Sequence, residues 1–199
     1  MTAHVIRASE TDVGVLSRVI AEAFIDLPPS AWLVSDPEAR RALFPGYFRI
    51  LVEQTLAGGV VHTTPDRDAV ALWRYVDGSD GGADGDYAAR LTAATSPWTE
   101  RFVRFDGALE SGHPSGAPHH YLAILAVRPD RQGAGLGTAM LDAYHQVIDE
   151  TGAAAYLEAS HPRTRTLYLR HGYADHGSPI QLPDGPVMYP MWRPASSGL

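Results

Sequence analysis

The stretch Tyr121-Leu122-Ala123-Ile124-Leu125-Ala126-Val127, then Arg128-Pro129-Asp130-Arg131, then Gln132-Gly133-Ala134-Gly135-Leu136-Gly137 decides how this 199-residue chain folds. The apolar run has the composition and length of a buried strand, and Arg128-Pro129-Asp130 has the composition of a turn. Beyond the glycines, Leu136, Met140, Tyr144, Val147 and Ile148 recur at helical spacing, and Gly152 stands where a left-handed C-terminal residue belongs. Ala154-Ala155-Tyr156-Leu157-Glu158-Ala159 then reads as a second buried strand. Strand, glycine loop, helix and strand make a βαβ unit, whose two strands must run parallel.

The glycines at 133, 135 and 137 fall at the start of the helix. A helix N-terminus leaves backbone N–H groups unpaired and carries partial positive charge, so a loop without side chains lets a phosphate approach closely. Spacing separates the known phosphate loops. A P-loop places Lys and then Ser or Thr after its last glycine, whereas Gly137 is followed by Thr138-Ala139. A dinucleotide fingerprint reads Gly-x-Gly-x-x-Gly and opens a doubly wound fold, whereas here the order is Gly-x-Gly-x-Gly late in the chain. A pyrophosphate site fits this loop; the competing reading is a helix start that is glycine-rich for packing alone.

Outward from this unit, His4 to Ala8 has strand composition, and Ser9 or Thr11 is placed to cap a helix with apolar positions Val15, Leu16, Val19, Ile20, Ala23 and Phe24. Leu27-Pro28-Pro29-Ser30 ends that helix, and a loop is expected to follow. A second helix is predicted from Pro37 to about Leu56. Val60 to Thr64 and Ala69 to Val76, separated by Pro65-Asp66-Arg67-Asp68, read as an antiparallel hairpin. Residues 87–110 read as helical with a break at Ser96-Pro97, and Tyr173 to Trp192 as a closing hairpin. The Gly/Asp-rich stretch from Asp77 to Asp86 lacks the spacing of known calcium loops, and His113, His119 and His120 lack a zinc-ligand spacing, so no metal is expected.

Composition narrows the function classes. Twenty-three acidic against 16 basic side chains give a formal charge of -7, which opposes non-specific binding to nucleic acid or anionic lipid. The absence of cysteine removes disulfides, thiolate metal sites and a cysteine nucleophile, and fits a reducing cytoplasm. Neither an export signal nor an apolar run long enough to span a bilayer is present, and no composition shift divides the chain, so residues 1–199 read as one domain.

Gln132-x-x-Gly135-x-Gly137 after an apolar strand resembles the acetyl-CoA signature of the GNAT N-acetyltransferase superfamily. Leu122-Ala123 through Val127, Pro129-Asp130, Leu157-Glu158-x-Ser160, Pro162-Arg163, Tyr168 and Pro183-x-Gly185-Pro186 resemble most closely the puromycin N-acetyltransferase-like proteins. The resemblance implies a GNAT fold of the α/β (α+β) class: a mixed central sheet of six or seven strands, helices on both faces, and a V-shaped splay between the two central parallel strands. It implies acetyl-CoA bound by Leu125, Ala126, Val127, Arg131, Gln132, Gly133, Ala134, Gly135, Leu136, Gly137, Thr138 and Thr164, with backbone groups of Leu125 and Val127 pairing to the pantetheine arm. The superfamily's usual asparagine ahead of the last helix is replaced near His161.

Tyr168 matches the tyrosine that in this family stands beside the cofactor sulfur as general acid; a phenol of pKa about 10 stays protonated at neutral pH and can donate to a thiolate. Packing in an amphipathic helix is the plain alternative. Glu158, a lone carboxylate at the end of an apolar strand, is the candidate base, or else a helix anchor or a partner for the substrate's cation. Phe24, Trp32 and Trp73, with Pro28, Tyr75 and Trp98, supply flat apolar surface for a substrate or simply for the core. The expected activity is acetyl transfer to a primary amine of a small molecule by direct attack on the thioester, by a monomer or homodimer. A protein or peptide N-acetyltransferase and a non-catalytic acyl-CoA-binding module are the other readings.

Overall fold

The computed structural model describes residues 3–78 and 85–195, so most of the Gly/Asp-rich stretch from Asp77 to Asp86, which lacks calcium-loop spacing, lies outside the described residues. In chain order the elements are β1 (Ile6–Arg7), α1 (Val13–Phe24), α2 (Pro28–Leu33), α3 (Pro37–Gly58), β2 (Gly59–Thr63), β3 (Ala69–Val76), α4 (Tyr87–Thr95) and α5 (Thr99–Gly112). There follow β4 (His119–Val127), α6 (Leu136–Thr151), β5 (Ala154–Ala159), α7 (Pro162–Arg170), β6 (Ala174–Asp175), β7 (Ile180–Gln181) and β8 (Val187–Arg193). Their order in the sheet is β1-β2-β3-β4-β5-β8-β6, with β7 also on β8. That makes eight strands where six or seven were expected, because the closing hairpin contributes two separate two-residue strands, β6 and β7.

All neighbouring pairs are antiparallel except β4 and β5. These two run parallel and are paired only at His119↔Ala154, His120↔Ala155 and Tyr121↔Tyr156. From Leu122 onward the edge of β4 that faces β5 has no strand partner among the described residues, which is the expected splay. Across the sheet, the register of β4 against β3 shifts between Leu72 and Trp73, which pair with Ile124 and Leu122 and skip Ala123. A bulged strand bends. The irregularity falls just past the last residue paired with β5, where the two parallel strands part.

Strand alternation sends two cores to opposite faces. Val70 and Leu72 of β3 with Ile124 and Ala126 of β4 pack under α1 and α3, where Leu16, Ile20, Phe44 and Val52 are fully or almost fully buried. Ala69, Ala71 and Trp73 of β3 with Leu122, Ala155 and Leu157 pack under α6, against Met140, Leu141, Tyr144 and Ile148. The helix boundaries follow local chemistry. The Asp36 carboxylate accepts from the Glu38 N–H at 2.9 Å to start α3, with Pro37 at its first position. Gly152, at φ +62, ends α6. The segment after Leu27 is the one-and-a-half-turn helix α2 and not the expected loop: Pro28 sits at a first helical position, where its missing N–H costs nothing.

Candidate active site

A cleft of about 1530 Å³ runs through the opening between β4 and β5. One end is built by the glycine loop. Gly133 and Gly135 have φ of +82 and +81, a region that L side chains avoid, and Gly135 is the residue from which α6 departs, with no side-chain cap on its first N–H groups. Gln132, Gly133, Gly135, Leu136, Gly137 and Thr138 line the cleft there, beside Leu125, Ala126 and Val127 of the free strand edge and Thr164 of α7. The Gln132 amide donates to the Val127 carbonyl at 3.2 Å and so ties the loop to the strand end. An unpaired strand edge running into a side-chain-free helix N-terminus fits an extended amide-bearing chain that ends in a pyrophosphate, which is the chemistry of coenzyme A.

Two residues assigned to this end in the sequence lie elsewhere. Arg131 turns away from the cleft, and its Nε meets Asp68 at 3.1 Å, where Arg128 also reaches the same carboxylate at 3.0 Å. Ala134 does not line the cleft, because the left-handed glycines on either side carry it outward.

At the middle of the cleft stand Glu158 and Tyr168. Glu158 is the penultimate residue of β5, and its side chain is only 3% exposed. One carboxylate oxygen, Oε2, accepts from the Tyr121 hydroxyl at 2.8 Å; the other, Oε1, is buried with no hydrogen-bond partner and lies 3.8 Å from Nδ1 of His113. Burial, with the Glu158 charge added, pushes the Tyr121 phenol well above its ordinary pKa, so it keeps its proton and donates it. Tyr168 comes from α7, which starts where the His161 ring accepts from the Arg163 N–H at 3.1 Å, with Pro162 in the first turn. Tyr168 lines the cleft and is 7% exposed, and burial alone raises its pKa.

The far end of the cleft is aromatic and acidic. Phe24 lines it with Tyr47, Phe48, Tyr87 and Phe105, and Asp106 and Glu110 line it from α5. Asp106 accepts from the Tyr87 hydroxyl at 2.6 Å; burial pushes its carboxyl up to about 6, against the opposing pull of that hydrogen bond. Arg74 stands over the Tyr121 ring, 5.4 Å from its centroid.

Of the aromatic residues predicted to hold substrate, only Phe24 of Phe24, Trp32 and Trp73 reaches the cleft. Trp73 points to the α6 face, fully buried and stacked on Tyr144 with ring centroids 4.4 Å apart. The alternation of β3 decides this, since the same strand sends Val70 and Leu72 to the other face. Trp32 donates its indole N–H to the Pro183 carbonyl at 2.9 Å, under the Arg101 guanidinium, and closes the turn before β8 rather than the cleft. Sequence reading missed Tyr121, His113 and Asp106. Tyr121 had a readable signal, because it stands two residues after His119 on the strand that leads to the glycine loop; His113 and Asp106 are brought in by α5, which no motif marks. Among the described residues no cluster of ligands suits a metal ion, and no helix is long and apolar enough to cross a membrane.

Comparison with known proteins agrees with this geometry. Residues 100–175 match the family model described as an acetyltransferase (GNAT) domain. The whole chain is similar to a structure of histone acetyltransferase HPA2 and related acetyltransferase from Corynebacterium glutamicum, with 26% identity, a TM-score of 0.75, and coverage of 100% of this chain and 99% of that one. It shares its fold with arylalkylamine N-acetyltransferase 2 from Aedes aegypti, at 11% identity, a TM-score of 0.62 and coverage of 98% and 99%. The same holds for the ribosomal-protein-S18-alanine N-acetyltransferase from Escherichia coli, at 16% identity, a TM-score of 0.54 and coverage of 98% and 96%. With the splayed parallel pair, the glycine loop at the head of α6 and the matched segment all in one cleft, the chain has the GNAT fold and is an acetyltransferase, with residues 100–175 matching a GNAT domain.

Proposed function

We propose that this protein, a single domain, transfers the acetyl group of acetyl-CoA to a primary amine of a small molecule. The observation that carries the reading is the continuity of the cleft from the glycine loop, past Tyr168 and Glu158, to the aromatic end bounded by Asp106 and Glu110. Acetyl-CoA brings an activated thioester, so the chain's own residues need only hold, orient and move protons. Leu125 and Val127 offer a backbone edge to the pantetheine arm, and the N–H groups at residues 133–138 receive the pyrophosphate. Thr164 lines the same end; its hydroxyl donates to the His161 carbonyl at 2.8 Å and leaves its oxygen lone pairs for the cofactor.

Glu158 takes the proton that the substrate's ammonium must lose before its nitrogen can attack. Tyr168 keeps its proton at neutral pH because burial disfavours the phenolate, and it gives that proton to the departing thiolate. The nitrogen gives up its second proton as the amide forms, and that proton restores the phenol. Aromatic walls with two carboxylates at the acceptor end suit a cationic amine with an apolar or aromatic body. The resemblance to puromycin N-acetyltransferase-like proteins supports an aminonucleoside or related antibiotic within that class, and the location fits the cytoplasm.

The acceptor class is tested with a panel that sets puromycin and simple arylalkylamines against histone-tail and alanyl peptides. A small amine is expected to be preferred. Its KM should fall as the pH rises through 6, because Asp106 ionises there, and Asp106→Asn should raise KM several-fold and remove the pH effect. Turnover of peptides alone would replace this reading with a peptide N-acetyltransferase.

A further inference from the structure

A chain of three hydrogen-bonding groups behind Glu158 fixes where protons sit. Nδ1 of the buried His119 is 2.7 Å from the Ala117 carbonyl oxygen. A carbonyl only accepts, so that nitrogen carries the proton, and in the neutral ring Nε2 is left as a lone pair. Nε2 of His119 is 3.0 Å from Nε2 of His113, which must then donate. The remaining nitrogen of a neutral His113, Nδ1, is therefore also a lone pair, and it faces Glu158 Oε1 at 3.8 Å. Oε1 has no hydrogen-bond partner at bonding distance; the Tyr156 hydroxyl, which also faces the Glu158 carboxylate, donates to the Gly112 carbonyl at 3.3 Å. Two acceptors thus confront each other across a gap that one proton would satisfy, and the His113 ring, 21% exposed on its side chain, opens that gap to the cleft.

We propose that the base of this acetyltransferase is the Glu158–His113 pair and not the carboxylate alone, with His119 and the Ala117 carbonyl holding His113 in the tautomer that presents Nδ1. This rests on the amine-acetylating role proposed above. In the step, an N–H bond of the substrate's ammonium breaks, its electron pair stays on nitrogen, and the proton settles between Nδ1 and Oε1. The pair passes from a net charge of minus one to zero, and the proton later leaves to solvent through the cleft. Groups facing the pair from its neighbours are compatible with this. Tyr121 of β4 donates to the other carboxylate oxygen, Tyr156 of β5 is kept protonated by burial and by the Glu158 charge, and Arg74 of β3 is held over Tyr121. Burial holds His119 below its ordinary pKa, against the opposing pull of the Ala117 carbonyl and the Glu158 charge, so it stays neutral as the tautomer chain requires. Glu110 lines the cleft from the last turn of α5, and its carbonyl accepts from the His113 backbone N–H at 3.1 Å.

The test is nitrogen NMR of the imidazoles in the full-length protein, assigned by triple resonance, which reports each ring's tautomer without any substrate. Neutral His119 should be protonated on Nδ1 and neutral His113 on Nε2. With an active amine, His113→Gln should lower kcat about tenfold or more and displace the acidic limb of the kcat/KM profile, while the KM for acetyl-CoA stays unchanged. A neutral His113 protonated on Nδ1 overturns the pair. If no amine is turned over, the proposed function fails while the tautomers still decide the pair; if turnover occurs and His113→Gln keeps the wild-type profile, Glu158 acts without it.

Discussion

Tyr168 and Glu158 line the same cleft from different elements, α7 and β5, and burial acts on a phenol and a carboxylate in different surroundings. Tyr168 lines the cleft from α7, and burial by itself favours its neutral phenol, which suits the proton-donating role proposed for it. Tyr168→Phe removes only the hydroxyl and keeps the packing against Tyr173, whose ring centroid is 5.9 Å away. Steady-state kinetics should then show kcat lower by about a hundredfold, with KM for both substrates within about twofold of wild type. An unchanged kcat would return Tyr168 to a packing role. Both residues were legible from one strand end and one helix turn, because each lies within a motif. Tyr121 and His113 were not, since their relevance comes from the 2.8 Å and 3.8 Å distances to Glu158 that only the sheet pairing and the end of α5 create. Trp73 shows the converse error: an aromatic residue in a strand advertises surface for a ligand, but the strand's period of two, read against Val70 and Leu72, assigns it to the α6 face.

The glycine loop and the splay act at the scale of elements. Gly133 and Gly135 adopt left-handed φ so that α6 can start with its free N–H groups aimed into the cleft. A Cβ on Gly135 would meet no atom of the protein within 4 Å, so the effect of Gly135→Ala is backbone strain of about 1 kcal/mol together with a methyl group placed where the phosphate approaches. Calorimetric titration should show acetyl-CoA bound about tenfold more weakly or worse, with the amine's KM little altered; unchanged affinity would move the phosphate elsewhere. The βαβ unit was readable because its apolar strands, its glycines and the period of α6 all point to one arrangement. The splay was expected only by resemblance. The skipped Ala123 beside the last β4–β5 pair is a feature of register that composition does not record. The short α2 was missed for the opposite reason: two prolines in sequence suggested a break, and a helix start uses the same residue.

For the molecule as a whole, two cores on opposite faces of one sheet leave the cleft as the opening between them, and the buried polar groups at their margins set how stability responds to pH. His145, in the α6-side core, meets the Tyr173 hydroxyl at 3.1 Å, and burial, with Arg193 and His171 adding to it, pushes its pKa down to about 4. The unfolded chain therefore binds more protons than the folded one between roughly pH 4 and 6.5, and stability rises with pH across that window. The contribution is fully present above the unfolded value and is lost as pH falls through the folded one. Urea unfolding should show that His145→Gln flattens the pH dependence in this window by up to about 3 kcal/mol, and an identical slope in both proteins would contradict the assignment. The central claim, acetyl transfer from acetyl-CoA to a small amine in this cleft, is tested most directly by following thiol release from acetyl-CoA with the wild-type protein across the amine panel. The account predicts release that depends on a cationic aromatic amine and saturates with both substrates; tight acetyl-CoA binding with no amine-dependent thiol release would contradict it.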